Sequence, residues 1–267
     1  MASNQKFNKH AIYNQLKHVS RELKYPKNID IDKKKSHLNY SLAPQRNMTD
    51  FEYLKKRLDE IYIHSDRADI NYMSGWVITK PKDLSDDYEE KFFKACYDFL
   101  CDRYGGEKNV ISADVHKDES GEPHLHFCFV PVAQNTPNEN MLKVINYFKE
   151  NPDANNTKAS EQLDISRKTV RRYRECTDND IKYEKLSAKD VINKADLQSF
   201  HQDLQKYLDK IRIPAKVYTG ITKAQGGNMT VQQLKMQRKH LIEHGGNVDE
   251  IVKTIDNILD ELDNIVI

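Results

Sequence analysis

The chain has 267 residues, of which 38% are hydrophobic and 31% charged, so it is polar yet long enough for one large and one small domain. No stretch approaches the roughly 18 consecutive apolar residues that a membrane span requires. The first residues, 1–9, lack the apolar centre of a signal peptide, so we expect a cytoplasmic location without a membrane span.

Charge is unevenly distributed, although the net charge is only +1. Residues 1–40 carry nine Lys/Arg against three acids, and residues 155–174 carry six against two, whereas residues 247–267 carry one against six. Two separate basic segments are consistent with contact to phosphates at two places. The four cysteines show no zinc-finger spacing, so we expect free thiols: Cys96, Cys101, Cys128 and Cys176.

The first hundred residues alternate between strand and helix patterns. Residues 1–25 are interpreted as a mobile or helical lead, and His37–Leu42 has the period of two that is typical of a short strand. Apolar residues at three- and four-residue spacing predict helices over Thr49–Tyr62 and Asp87–Tyr104, the second ended by a Gly pair. The apolar run Ser74–Thr79 predicts a buried strand between them.

Two further apolar segments, Asn109–His116 and His124–Val132, are separated by a polar turn and predict an antiparallel hairpin. The order of elements favours an α+β domain in which helices cover one face of an antiparallel sheet.

Composition changes at residue 138. Residues 138–180 are interpreted as an inserted domain, so that 1–137 and 181–244 together form the main domain. A long helix is predicted over Leu186–Ile211, and a Gly/Asn break at 224–228 precedes another helix that ends near residue 244. Residues 245–267 carry an amphipathic stripe that could pack on the core or form a homodimer.

A histidine cluster is the most informative part of the sequence. His124 and His126 are two residues apart on a strand and therefore face the same side, and His116 ends the partner strand. With a carboxylate from Asp118 or Glu119, three imidazoles suit a divalent ion such as Mn²⁺, Mg²⁺ or Zn²⁺.

The pattern His-x-Asp-Glu, then Pro-His-x-His, over residues 116–126 resembles the metal motif of the MobV (Pre/Mob) family of plasmid mobilisation relaxases. His18-Val-Ser-Arg21 is similar to the family's HxxR motif, and residues 28–42 resemble its segment ending in Leu-Asn-Tyr-x-Leu. The resemblance covers about residues 10–133 and resumes over about 183–242. The turn between Glu119 and Pro123 holds three residues where the family usually has two, and 138–180 is absent from the pattern.

The resemblance implies a His-hydrophobe-His (HUH) relaxase fold that nicks and rejoins one DNA strand through a covalent phosphohistidine intermediate. It implies that His18 is the nucleophile, that Arg21 and Asn39 assist near the scissile phosphate, and that Glu119 joins the catalytic group. The implied metal ligands are His116, His124, His126 and Glu119, with Mn²⁺ or Mg²⁺ bound. Tyr13 and Tyr40 are rival nucleophiles.

Within the insertion, Thr157–Leu163 and Ser166–Arg174 predict two short helices joined by a tight turn, preceded by a helix over Glu139–Lys149. This arrangement is typical of a trihelical helix-turn-helix. The outer face of the last helix has the chemistry of duplex DNA recognition, and we expect it to bind DNA through Arg167, Lys168, Thr169, Arg171 and Arg172.

The function that these patterns predict is site- and strand-specific nicking and joining at a plasmid or mobile-element origin of transfer. The partners would be single-stranded origin DNA and its hairpin or duplex flanks. A rolling-circle replication initiator of the same chemistry, or a non-catalytic sequence-specific regulator, remain alternatives. Members of the family often continue into a long coiled coil, so the sequence leaves open whether the chain is complete.

Overall fold

A computed structural model describes residues 2–22, 31–119 and 121–218. Its central feature is a five-stranded antiparallel sheet in the spatial order β1-β3-β5-β4-β2. The strands are Ala2–Asn8 (β1), Tyr40–Ser41 (β2), Asn71–Thr79 (β3), Val110–His116 (β4) and His124–Phe129 (β5). The mixed architecture confirms the expected α+β class.

The described part of the chain also contains helices, and those outside residues 138–180 cover both faces of this sheet. The helices are Lys9–Val19 (α1), Asp50–Asp59 (α2), Glu89–Arg103 (α3), Glu139–Glu150 (α4), Asn156–Leu163 (α5), Arg167–Tyr173 (α6), Ala188–Val191 (α7) and Lys194–Lys210 (α8). One apolar cluster contains residues of α3 and α8, and a second contains residues of α1 and α2. The expectation that helices lie on one face only is therefore wrong.

The central strand β5 shows how the two faces divide. Leu125, Phe127 and Phe129 belong to the cluster on the α3 and α8 side, whereas Cys128 belongs to the cluster on the α1 and α2 side. Because side chains alternate along a strand, His124 and His126 share the face of Cys128, beneath α1. The side chains of both histidines therefore lie between β5, which carries them, and the end of α1.

The predicted hairpin and the two long helices of the first half are confirmed. Thr49 caps α2 in a reciprocal hydrogen-bonded box with Glu52. Gly105 and Gly106 follow α3 with φ of 88° and 89°, the left-handed region that glycine adopts without strain.

Three segments differ from expectation. Within residues 1–25, α1 confirms the helical alternative, but the first residues form a strand, β1, that was not expected. His37–Leu42 contains a 3₁₀ turn, Ser36–Leu38, before the short strand β2. The predicted helix over Leu186–Ile211 is divided into a strand end, α7 and α8, because Ser187 and Asn193 each cap a new helix start.

Residues 138–180 carry a small apolar cluster of their own, formed by buried residues of α4, α5 and α6 and the turn between the last two: Val144, Tyr147, Ala159, Ile165 and Val170. Short strands Val132–Gln134 (β6) and Glu184–Leu186 (β7) pair antiparallel on either side of this segment. The chain therefore leaves and re-enters the main sheet region at nearly the same point.

The break at 224–228, the helix that follows it, the C-terminal stripe over 245–267 and the homodimer that it could form lie outside the described residues. Among the described helices, none combines the length and hydropathy needed to cross a membrane. All four cysteines are free thiols, as expected.

Candidate functional site

Four histidines converge at one place on the α1 side of the sheet. His116 of β4 is paired with His124 of β5, and His126 lies two residues further along β5. The ring centroids of His116 and His126 are 4.6 Å apart, and those of His124 and His126 are 4.9 Å apart. His18, near the end of α1, places its ring 5.7 Å from that of His126.

Backbone carbonyls fix the tautomers of two of these rings. His116 Nε2 donates to the Val19 carbonyl at 2.9 Å, and His124 Nδ1 donates to the Glu122 carbonyl at 3.4 Å. Each bond leaves the other ring nitrogen with its lone pair, His116 Nδ1 and His124 Nε2. Those two nitrogens and His126 Nε2 are buried without a hydrogen-bond partner among the described residues.

Burial disfavours the charged form of three of these imidazoles, those of His18, His124 and His126. It lowers the pKa of His18 and of His124 to about 4, against a partly opposing effect of the Glu119 carboxylate. Burial, followed by the neighbouring His116 and His124, holds the pKa of His126 well below its usual range. At neutral pH these three rings are therefore uncharged and each keeps a lone pair, as metal ligands and nucleophiles require.

Glu119 is the carboxylate that faces the histidines. Its oxygens lie 3.6 Å from His116 Nδ1, 3.9 Å from His124 Nε2 and 3.9 Å from His18 Nε2. Burial acts to raise the pKa of Glu119, but His116, His124 and Arg21 together hold it well below its usual range. The carboxyl group is therefore ionised.

Asp118 is turned away from the histidines and is fully buried. Its two oxygens accept from Arg21 Nη2 at 2.6 Å and Nε at 3.0 Å, and Ser36 Oγ donates to it at 2.6 Å. Of the two acids that the sequence left open, Glu119 thus has the geometry of a metal ligand.

Arg21 lies beyond the end of α1, with a φ of 59°. Its guanidinium also donates to Glu119 at 2.5 Å and to the His18 carbonyl at 3.2 Å. The left-handed conformation, which costs a non-glycine residue energy, turns the side chain back toward the histidines. Arg21 therefore joins His18 to the loop that carries both acids.

The remaining predicted residues sit at the edge of this group. Asn39 accepts from the Lys117 amide at 2.7 Å and so holds the loop that follows β4. Tyr40 packs against the cluster on the α3 side, the opposite face from the histidines, and burial raises its pKa. Tyr13 is exposed, and its ring packs on Phe51. Neither tyrosine lies within the buried histidine cluster, as His18 does.

A metal ion fits this donor set. One ligand atom each from His18, His116, Glu119 and His126 lie within 4.8 Å of one another. His124 lies outside this group, although its Nε2 is 3.9 Å from a Glu119 oxygen. The group therefore contains three of the four predicted ligands, and His18 takes the place expected for His124.

Comparison with known proteins gives the family. The family model described as "Plasmid recombination enzyme" (Mob_Pre) matches residues 1–176 of the chain. The chain belongs to this family. The match continues past residue 133, where the motif resemblance pauses, and includes most of 138–180.

Curated members of the plasmid recombination enzyme family share part of the chain. A protein of that name from Bacillus thuringiensis is 33% identical over 122 residues, which are 44% of this chain and 27% of the relative. A type 1 enzyme from Staphylococcus aureus is 36% identical over 127 residues, which are 44% of this chain and 30% of the relative. The matches thus span about a third of these relatives at most.

Solved structures share the fold. A MobM relaxase domain (MOBV; Mob_Pre), Mn-bound and in complex with plasmid oriT DNA, has a TM-score of 0.59 at 23% identity, covering 89% of this chain and 97% of that one. A second crystal structure of the same domain has a TM-score of 0.58 at 22% identity, covering 88% and 98%. The sheet and its helices are therefore a relaxase fold.

The predicted DNA-binding residues lie apart from the plasmid recombination enzyme motifs, on α6. Arg167, Lys168, Arg171 and Arg172 are all exposed, and Val170 is buried beneath them. Thr169 is partly buried, and its hydroxyl lies 2.9 Å from Ser166 Oγ at the helix cap. The turn before α6 includes Asp164 at a φ of 53°, which lets α5 and α6 pack at an angle.

The sequence analysis considered Asp118 only as a possible metal ligand and did not identify Ser36. In the structure Asp118 binds Arg21 and accepts a hydrogen bond from Ser36. Both belong to segments that resemble the plasmid recombination enzyme family, and this was the only signal that could have singled them out. The contact of Asp118 with Arg21 depends on a backbone reversal after α1, and no hydrophobic period in the sequence indicates that reversal.

Proposed function

We propose that this protein nicks and rejoins one strand of DNA at the origin of transfer of a plasmid or mobile element. The observation that carries the proposal is the buried convergence of three unpaired imidazole nitrogens and Glu119 with His18 beside them. Membership of the plasmid recombination enzyme family supports it, as does the fold shared with an Mn-bound relaxase domain on oriT DNA. We place the reaction in the cytoplasm, where plasmid DNA is found.

In this proposal His18 is the nucleophile. A neutral ring nitrogen attacks the phosphorus of the scissile phosphodiester, an N–P bond forms, and the P–O3′ bond breaks. The proton that the other ring nitrogen gives up balances the proton that the leaving 3′-oxygen takes up to become a hydroxyl. Attack by a 3′-hydroxyl on the phosphoramidate reverses the step and returns the neutral imidazole. The lowered pKa of His18, about 4, supports this role because the nucleophile is then unprotonated at neutral pH.

Residues around His18 position it and the phosphate. The bond from Arg21 Nη1 to the His18 carbonyl fixes the end of α1, while Asp118 and Glu119 orient the guanidinium. Asn39 keeps the Lys117–Glu119 loop in place. This arrangement holds the Arg21 guanidinium next to the nucleophile, with its charge paired to both acids.

His116 Nδ1, His124 Nε2, His126 Nε2 and Glu119 would hold a divalent ion, for which Mn²⁺ or Mg²⁺ are our choices. Such an ion supplies Lewis-acid stabilisation of charge that develops on the phosphate oxygens. The fit is supported by the lone pairs that Val19 and Glu122 direct inward through their bonds to His116 and His124.

The direct test is cleavage of labelled single-stranded oligonucleotides that tile the parent element's origin region, in the presence of Mn²⁺. We expect one strand to be cut at one site, with the protein attached to the 5′ end of the product. Specific binding without cleavage at any Mn²⁺ or Mg²⁺ concentration would favour the non-catalytic regulator instead.

We also propose that residues 138–180 form a separate DNA-binding unit, with 1–137 and 181–244 as the catalytic domain. Four exposed cations lie on one face of α6, and no ion pair to them is present in the described part of the chain. Such a face suits the major groove of duplex or hairpin origin DNA.

Substitution of Arg171 and Arg172 by Ala tests this unit. We expect binding to duplex origin DNA to weaken by roughly 1–3 kcal/mol for each base-reading side chain. Cleavage of a short single-stranded oligonucleotide should stay at the wild-type rate. Gel shifts on duplex DNA, paired with the nicking assay, give both readings.

The matched control is Lys143→Ala, which removes an exposed cation from α4 of the same unit. If duplex affinity is unchanged in the double variant, or falls equally in the control, α6 is not the reading helix.

A further inference from the structure

A second, smaller sheet lies where the chain leaves and re-enters the main sheet region. β6 pairs with β7 in the register Val132↔Leu186, Ala133↔Lys185, and Tyr62 bridges Lys185 from the other side in parallel. The Tyr62 amide donates to the Glu184 carbonyl at 2.8 Å, and the Leu186 amide donates to the Tyr62 carbonyl at 2.9 Å. Three short segments are thus joined edge to edge.

One face of this small sheet packs against the core. Val132 and Leu186 pack against the cluster on the α1 and α2 side. Glu184 pairs with the buried Arg57 and with Lys108, at 2.6 Å from the lysine. The side chains that alternate with these residues must therefore point away from the protein.

The opposite face carries two exposed aromatic rings. Tyr62 is 44% exposed and Tyr183 is 61% exposed, the highest value of any large hydrophobic residue in the described chain. Lys185 lies between them in the pairing, opposite the small side chain of Ala133. We call the surface formed by Tyr62, Tyr183, Lys185 and Ala133 the aromatic platform.

We propose that the aromatic platform binds single-stranded DNA by stacking bases on Tyr62 and Tyr183. Strand spacing and rise put the two Cα atoms about 8 Å apart, close enough for neighbouring nucleotides to engage both rings. Rings standing on a flat sheet face are the arrangement by which sheets bind single-stranded nucleic acid without sequence preference.

Charge favours a nucleic acid over an apolar partner at this surface. Lys182 and Lys185 flank Tyr183 in the sequence, and Lys185 is held at 2.9 Å from Asp190 with its side chain 37% exposed. The exposed His64 ring lies 6.3 Å from the Tyr62 ring and extends the platform. The Glu184 carboxylate is paired with Arg57 and Lys108 on the opposite face.

The location deepens the proposed function, on which the inference rests. The six residues of β5 span roughly 20 Å between the histidine end of the strand and β6. At about 3.4 Å per nucleotide this corresponds to about six nucleotides of a B-form strand. The platform also adjoins the base of the 138–180 unit, so it would guide the strand between duplex contact and cleavage.

The test uses the full chain with both tyrosines changed, Tyr62→Ala/Tyr183→Ala, and fluorescein-labelled oligothymidylates of increasing length. We expect at least about a thirtyfold loss of affinity for oligonucleotides long enough to cover both rings, since each stacked base contributes about 1–3 kcal/mol. The Tyr62→Phe/Tyr183→Phe variant keeps the rings and should bind as the wild type does. Tyr13→Ala removes an exposed ring elsewhere and serves as the matched control.

Photocrosslinking of the wild type to an iodouracil-substituted oligonucleotide should label Tyr62 or Tyr183. Wild-type affinity in the double Ala variant, or labelling confined to other residues, would overturn the platform. If the double Ala variant instead has a different oligomeric state in light scattering, the surface is a protein interface and the platform proposal is wrong. Because these readings need no cleavage, failure of the nicking assay would leave them interpretable.

Discussion

The His18→Ala variant is expected to form no covalent adduct with origin DNA, while its affinity for the single strand stays close to that of the wild type. Without the ring nitrogen no N–P bond can form, so cleavage should fall by roughly a thousandfold or more. The measurement is a denaturing gel of protein incubated with labelled oligonucleotide and Mn²⁺, alongside fluorescence anisotropy for binding.

The chemical stability of the wild-type adduct gives an independent reading. A phosphohistidine is hydrolysed in mild acid because the protonated imidazole is a good leaving group, whereas a phosphotyrosine survives. We therefore expect an acid-labile, base-stable adduct. An acid-stable adduct that maps to Tyr13 or Tyr40 would contradict the assignment of His18.

The control comes from the same helix. His10 is an exposed histidine at the start of α1, far from the end that carries His18. His10→Ala should therefore keep both adduct formation and binding. Tyr13→Phe and Tyr40→Phe, which remove only the rival hydroxyls, should also remain active.

The hairpin that carries the metal motif could be predicted from the sequence because two simple rules govern it. Side chains alternate along strands, so the spacing of His124 and His126 alone places them on one face. The apolar residues that alternate with them, Leu125 and Phe127, then determine which face belongs to the core. Both rules act locally and need no knowledge of the rest of the fold.

The first strand could not be predicted in the same way. Residues Ser3 to Lys6 of β1 are polar, and their place in the sheet depends on backbone pairing with β3. Such an edge strand has little hydrophobic period to detect. The same pairing explains why α1 begins where it does, since Asn8 ends the strand and caps the helix.

The sequence contains evidence that helices cover both faces of the sheet, although cover on one face was expected. β3 is buried along nearly its whole length, from Tyr72 to Thr79. A strand that is apolar on both sides must be covered on both sides. The run Ser74–Thr79 therefore contained the information that the expected one-sided arrangement ignored.

The different roles of the two carboxylates could be assigned only from the three-dimensional structure. Asp118 and Glu119 are neighbours in the sequence, yet one binds Arg21 and Ser36 while the other faces the histidines. Sequence spacing gives both acids equal standing as ligands. Only the reversal of the chain at Arg21 separates a positioning residue from a candidate ligand.

Metal binding should raise the melting temperature of the wild type and of His18→Ala, but not of His124→Ala or His126→Ala. A ligand at about a hundred times its Kd adds about 2.7 kcal/mol to folding stability, which for a chain of this size raises Tm by about 5 °C or more. Differential scanning fluorimetry with and without Mn²⁺ measures this shift, and EDTA should reverse it.

The two ligand variants should still fold without metal. His124 Nε2 and His126 Nε2 are buried without a hydrogen-bond partner among the described residues, so their removal breaks no hydrogen bond there. His124→Ala gives up the long bond from Nδ1 to the Glu122 carbonyl, at 3.4 Å. With the ion gone, stabilisation of the phosphate charge is lost, and we expect cleavage to fall by about a hundredfold or more. His10→Ala again provides the control, with a wild-type Mn²⁺ shift. The His18→Ala result separates the two roles open to that residue: a retained shift fits the nucleophile, whereas a lost shift would make His18 a ligand in place of His124.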